Sequence, residues 1–407
     1  MIYKDISGSV IKFLVSLILI GAISVNAQDK NTEILVLEGL ENVKSFEHNG
    51  DYYLAYENNR YRFEVDALDY VLSNISINNN INNVSILIQN RGIGIVQVVF
   101  NNKDFKGYKE GIISYKDFIE SILFSLSVDN LNQKFKEIPT INSSFYKVDI
   151  PVGVELDYFI GDFTNSIRQK VNLQPSFSTV LGSGTEIYGV YNMPYFNEMD
   201  DDNFNHLKIA RLSQDIRFKN NQFLNLSLGY FSNSRFGIHA KYHRFIKEER
   251  LRLNIDFGLT RKGNFNEEFK VETNYLLLYP VMLTGLTYRW IKYNTDISFN
   301  YGVYHKQDLG YKLNYTRQMG LTYIGLFMSK TSFGETVGFH FLAPIGFKKH
   351  LKPKRLRIRS REYFNLEYVY DRGDEIAREY NIGNNLLSQM SEYYPSVLKS
   401  SLLLIKK

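Results

Sequence analysis

The sequence predicts a mainly β protein, an antiparallel transmembrane β-barrel of about 12–14 strands preceded by a small α/β domain. Three observations predict it. The first is alternation between Gln222 and Arg261. Leu224, Leu226, Leu228 and Tyr230 alternate with Asn225, Ser227 and Gly229. Phe236, Ile238, Ala240 and Tyr242 alternate with Gly237, His239, Lys241 and His243. Leu251, Leu253, Ile255, Phe257 and Leu259 alternate with Arg252, Asn254, Asp256, Gly258 and Thr260. Side chains on a strand point to opposite faces with period two, so each run has one apolar and one polar face. The second is strand length. These runs are about ten residues long, which suits a membrane crossing, whereas strands of a soluble sandwich are typically about five to six. The third is ring composition. The chain has 30 Tyr and 29 Phe but one Trp, and Tyr gathers near the ends of the runs as an interfacial girdle requires.

The first 27 residues read as a signal peptide. Lys4 and Lys12 precede the mostly apolar run Phe13–Val25, which is too short to span a bilayer, and Val25-Asn26-Ala27 presents small residues for cleavage between Ala27 and Gln28. The chain has no Cys, which excludes disulfides, thiolate chemistry and lipidation at a signal-peptide Cys. The net charge of +5 on 91 formal charges is mildly basic and does not support nucleic-acid binding, which would want a clustered patch.

Residues 28–127 read as the small α/β domain. Strands are expected at Ile34–Leu37 and Tyr52–Tyr56 around a His48-Asn49-Gly50-Asp51 turn, then a helix over Phe63–Ile75, where Phe63, Ala67, Tyr70, Val71 and Asn74 fall at helical spacing. Asn78–Asn83 is a loop, Val84–Ile88 and Gly94–Phe100 are strands, and Ser114 caps a helix over Tyr115–Leu126. Residues 128–144 form a polar linker. From residue 145 to 407 the alternation dominates. Beyond the three opening runs, strands are expected near Tyr146–Phe159, Lys170–Val180, Glu186–Tyr195, Leu207–Phe218, Val271–Ile291 (interrupted at Pro280), Thr295–Tyr304, Gly310–Arg317, Leu321–Ser329, Glu335–Phe347 and Leu356–Tyr370. Single-chain bacterial barrels favour an even strand number. Asp374–Tyr394 has helical character and is expected at the barrel mouth, with Ser396–Ile405 as a closing strand.

Two stretches carry a resemblance. Glu57-Asn58-Asn59-Arg60-Tyr61-Arg62-Phe63 leads into a helix and then a hairpin through Gly92-Ile93-Gly94. Gly229-Tyr230-Phe231 to Lys262, and Lys330-Thr331-Ser332-Phe333-Gly334-Glu335 to Pro344-Ile345, lie in the strand region. Together, over residues 50–371, these resemble the YjbH-like exopolysaccharide biosynthesis proteins. The resemblance implies an outer-membrane protein of a Gram-negative bacterium, acting without catalysis in exopolysaccharide or capsule assembly or export. Its partners would be outer-membrane lipid, periplasmic polysaccharide-assembly proteins and a glycan. It carries over no catalytic residue, cofactor or metal.

The polar face supplies the candidate lumen-lining residues His239, Lys241, His243, Arg252, Asp256, Asp296 and His340. Their charges and rings suit guidance of a glycan, and they equally suit a barrel interior whose charges pair with one another. His239 and His243, four residues apart on one strand face, lie about 13 Å from each other, too far to share a metal. Asp200-Asp201-Asp202 has the oxygen chemistry of a Ca²⁺ loop, as it has that of a solvated acidic loop. A Gly-x-Ser-x-Gly element, a P-loop and a full dinucleotide fingerprint are absent. A general porin or small-solute channel is the alternative, and an outer-membrane hydrolase or acyltransferase a third. A porin usually needs about 16 strands or more.

Overall fold

The computed structural model of the chain describes residues 29–160, 167–198, 204–263, 279–352, 354–370 and 376–405. The signal cleavage position, Asp200-Asp201-Asp202 and residues 271–278 lie outside them.

The first unit is α/β. It runs α1 (Lys30–Glu38), β1 (Glu41–His48), β2 (Asp51–Glu57), α2 (Glu64–Asn74), β3 (Asn83–Asn90), β4 (Ile93–Asn101), α3 (Asn102–Lys109), α4 (Tyr115–Ser121), β5 (Leu123–Ser125) and α5 (Asp129–Phe135). The strands lie in chain order, and β2 and β3 are parallel. A parallel pair needs a crossover, which α2 supplies. Strand parity then sorts the core. Tyr52, Leu54 and Tyr56 join Val84, Ile86 and Leu68 on one face. Tyr53 and Ala55 meet Leu87, Leu131 and Phe135 on the other.

Three expectations for this unit fail. Ile34–Leu37 lies inside α1, not in a strand. The Asp29 side chain accepts from the Asn31 N–H, and Gly39 closes the helix at φ +107°, a conformation glycine adopts without strain. Ser114 caps α4 as expected, but that helix ends at Ser121 and Leu123–Ser125 returns as a sheet strand. Residues 128–144 are no linker. α5 covers the second face of the sheet, and Asn42 N–H donates to the carbonyl of Asn142.

The second unit is a large sheet. β6 (Val148–Ile160), β7 (Ile167–Gly182), β8 (Thr185–Asn197), β9 (His206–Phe218), β10 (Gln222–Phe231) and β11 (Arg235–Ile246) are followed by β12 (Leu251–Lys262), β13 (Tyr279–Trp290), β14 (Thr295–Val303), β15 (Leu309–Met319), β16 (Thr322–Thr331) and β17 (Gly334–Pro344). Each of these twelve pairs antiparallel with the next. The expected Leu356–Tyr370 strand is present in two parts, β18 (Leu356–Ser360) and β19 (Tyr363–Tyr370), divided at Arg361-Glu362. β18 pairs with β6 in parallel, and β19 pairs with β17 antiparallel. Arg361 N–H donates to the carbonyl of Val152, and Ile345 N–H donates to that of Glu362. One continuous stretch of chain therefore holds both edges of the sheet.

One face of this sheet is covered and polar. Asn225, Ser227, Arg211, Ser213, Asp215, Asn254, Thr260, Thr287, Arg289 and Gln318 are buried on it. The other face is uncovered and apolar. Leu228 is 53% exposed, Ile238 48%, Leu326 61% and Ile358 60%.

The sequence predicts helical character for Asp374–Tyr394 at a barrel mouth and a closing strand over Ser396–Ile405. Helix is present from Leu386 onward, and the closing strand is instead a helix. Residues 376–384 are non-helical and lie against the covered face. α6 (Leu386–Gln389) and a 3-10 turn (Met390–Tyr393) follow, and Ser396–Ile405 falls within helix α7 (Pro395–Ile405). Leu386, Met390, Tyr393, Val397, Leu398 and Leu402 are buried in the main core of the α/β unit. The positions Val397, Leu398, Ser401 and Leu402 form a helical stripe, and a strand would have turned half of them to solvent. The barrel boundary expected over 145–407 is corrected accordingly: residues 386–405 complete the first unit. Leu398→Ala should cost roughly 2–5 kcal/mol of that unit's stability. Limited proteolysis should then open residues 29–135 faster. Unchanged protection would show that α7 is dispensable to the core.

Candidate functional site

The α/β unit sits on the end of the large sheet where the turns are tightest. Asn220 and Asn221 both adopt φ near +60°, the left-handed region Asn tolerates in short hairpins. The unit grips these turns. Asn220 N–H donates to Asp129, the Leu126 N–H donates to Glu248, and Gly184 N–H donates to the carbonyl of Arg91 at 2.8 Å.

The resemblance-bearing motif makes a second grip. The Asn58 side-chain oxygen accepts from the Tyr61 N–H at 2.8 Å, forming a tight turn. That turn projects Arg62, whose guanidinium donates to the carbonyls of Ile345 and Gly346, each at 2.7 Å. Backbone bonds from Arg62 N–H to Lys348 and from His350 N–H to Arg60 extend the contact. Glu38 accepts from Arg60, Tyr61 and Lys349.

Between the two units lies a small polar cavity of about 80 Å³, lined in part by Glu57, Glu64, Arg91, Glu186, Arg357 and Glu392. Its charges are largely paired. Arg91, on the β3–β4 turn, reaches Glu186 at 2.9 Å and Asp215 at 3.0 Å. Arg211 bonds the other oxygen of Glu186 at 2.9 Å. Arg357 bridges Glu41 at 2.7 Å and Asp149 at 2.5 Å. Glu64 and Glu392 are buried in it without an ion pair among the described residues. Burial pushes Glu64 up to about 8, opposed by the hydrogen bond from the Tyr56 hydroxyl and aided by Glu57. Burial also holds Glu392 well above its ordinary value, with the charges of Glu362 and Glu64 adding to the effect. Glu64 therefore keeps its proton near neutrality, and burial favours the protonated form of Glu392, the affordable state for an unpaired buried carboxyl.

The seven residues singled out on the polar face all lie on the covered face of the large sheet. The structure does not gather them into one site. His239 Nδ1 lies 2.8 Å from the Tyr380 hydroxyl of the C-terminal segment. Lys241 faces Asp256 across the β11–β12 ladder, 3.9 Å away. His243 is packed by Phe245. Arg252 donates to the Tyr394 and Thr287 hydroxyls, both at 3.1 Å. Asp296 pairs with Arg289 at 2.8 Å, and His340 lies 3.1 Å from the Thr316 hydroxyl. Several partners come from residues 376–396, the segment expected elsewhere. Among the described residues, no group of three or more His, Asp or Glu is arranged to hold a metal. Glu64, Arg91, Glu186 and Arg357 are not singled out by the sequence reading. A charged residue inside an apolar strand or at a helix start is the signal that finds Glu64, Glu186 and Arg357, whereas Arg91 in its turn carries no such mark.

No protein-family model matches the chain, and no curated protein matches it either.

The Glu64 shift sets a pH dependence. Below its ordinary value of 4.5 the carboxyl is protonated folded or unfolded. Between 4.5 and about 8 only the folded chain keeps the proton, so stability falls as pH rises, and above about 8 it levels off. Glu64→Gln should flatten this slope. Denaturant midpoints across that pH range check it, and an unchanged slope would assign the dependence to other groups.

Proposed function

We propose that the chain is a non-enzymatic outer-membrane β-barrel protein of a Gram-negative bacterium, acting in exopolysaccharide or capsule assembly, with the α/β unit as its periplasmic docking module. The observation that carries the membrane part is the inversion of the large sheet. Its polar face is covered and its apolar face is open along strand after strand. A soluble monomer rarely leaves contiguous apolar area beyond a few hundred Å² in water. Lipid removes that cost, and an enclosed polar interior is what a membrane barrel has.

Strand direction supports closure. Twelve hairpin-linked strands alternate, so a thirteenth runs the same way as the first and must meet it in parallel. The stretch 356–370 does so through the β18–β6 pairing. Among the described residues this gives thirteen strands, an odd count against the even number favoured among single-chain bacterial barrels. The aromatic residues Tyr288, Trp290 and Tyr293 at the gripped end, and Tyr195, Phe236, Tyr301 and Tyr370 towards the other, suit two interfacial girdles.

Against a general porin stands the C-terminal segment, which occupies the covered side and is bonded to it at His239, Arg252, Asp308 and Glu249. The polysaccharide role rests on the resemblance, and the Asn58–Arg62 grip gives its motif a physical task, holding the docking module to the barrel.

The single Trp makes the membrane reading testable. Reconstituted in phosphatidylcholine brominated near the head end of its acyl chains, Trp290 fluorescence should be strongly quenched. Fluorescence equal to that in unbrominated lipid would sink the barrel. Deleting the gene should lower surface polysaccharide, and Arg62→Ala should restore the barrel to the membrane while restoring export only in part. Full export from that variant would show that the grip has no part in the function.

A further inference from the structure

The link between β17 and β19 is unusually basic. Lys348 to Arg361 carries eight Lys or Arg in fourteen residues. Part of it lines a pocket of about 250 Å³ with Lys352, Lys354, Arg359, Leu351, Leu356 and Ile358 among its walls. We propose that this pocket binds the phosphate headgroup of an anionic glycerophospholipid, with an acyl chain lying along Leu356 and Ile358.

The charge balance points to an anion. Asp149 is the acidic side chain in the pocket wall, and it is already shared by Arg357 at 2.5 Å and Arg359 at 3.6 Å. Glu41 is taken by Arg357 and Lys147. Lys352 donates one N–H to the Leu37 carbonyl, a neutral partner, at 3.0 Å. Lys354 is exposed and has no acidic partner among the described residues. Cations thus exceed anions around one concave surface.

The apolar wall points to a lipid rather than a free anion. Leu356 and Ile358 belong to the uncovered face of β18, and Leu351 is 78% exposed beside them in sequence. A cationic pocket whose floor continues into apolar surface matches a molecule with a phosphate at one end and hydrocarbon at the other. The backbone here is fixed by the Arg60 and Arg62 bonds to His350 and Lys348, so the cations are held in place before any ligand arrives.

This inference rests on the membrane reading, and the experiment separates the two. The full-length protein is taken in neutral detergent with equal phosphatidylglycerol and phosphatidylcholine, and bound lipid is counted by native mass spectrometry. Phosphatidylglycerol should be retained with a preference of about tenfold or more. Lys352→Gln with Lys354→Gln should remove most of that preference. Because neither side chain is buried, the double variant should keep the wild-type Trp290 quenching. Equal retention of the two lipids by the wild type, or an unchanged preference in the variant, overturns the pocket while the quenching result judges the barrel separately. Inorganic phosphate at millimolar concentration should fail to displace the lipid. Displacement would make the site one for free phosphate. Leu351→Ser should weaken retention, and no weakening would remove the acyl chain from the proposal.

Discussion

A buried polar backbone must find hydrogen-bond partners, and the stretch from Ile376 to Ser396 finds them by running against the covered face of a polar sheet. Ala377 N–H donates to Asp308, and His305 N–H donates to the carbonyl of Arg378. Asn381 exchanges two bonds with Ser232. The Asn384 carbonyl accepts from Arg91 and Arg211, and Ser396 N–H donates to Glu249. The segment satisfies itself on the sheet and the sheet on it.

The same segment explains why the two units behave as one. It leaves the sheet at Asn385, where a capping box with Ser388 starts α6, and ends as a helix inside the first unit's core. Arg91 answers from the other side, crossing from the β3–β4 turn to Glu186 and Asp215 on the large sheet. An ion placed so deep is costly unless its partners are fixed, and removing either partner strands the other. The junction is therefore a fitted surface, and burial within it raises the carboxyls of Glu64 and Glu392.

The alternation from Val148 to Tyr370 is legible in the sequence because period two needs no long-range information. Strand ends differ by a few residues, and Leu356–Tyr370 breaks at Arg361-Glu362, where the chain passes from one sheet edge to the other. The first unit is less legible. α1 is hidden because its apolar residues Ile34–Leu37 fall in one continuous run that reads as a strand, although Asp29 and Gly39 bracket it with helix caps. The tail misleads for another reason. Ser-Leu-Leu-Leu-Ile suits a strand or a helix equally in isolation, and only the core waiting for Leu398 and Leu402 decides between them. Parity alone places the polar-face residues on the covered side, but their partners Tyr380 and Tyr394 come from more than 130 residues away, a distance no local pattern records.

That long-range closure alters how the α/β unit can be dissected. Removing residues 30–127 leaves α7 with its apolar stripe and without the strands that cover it, so a loss of function in such a deletion reports an exposed helix as much as a missing docking surface. Conversely, a C-terminal truncation opens the core of a unit that begins at residue 29. The order of synthesis adds a constraint. The first unit is made first but receives Leu386, Met390, Leu398 and Leu402 last, after every strand of the large sheet has been made. Completion of the α/β unit therefore requires the whole chain through Leu402.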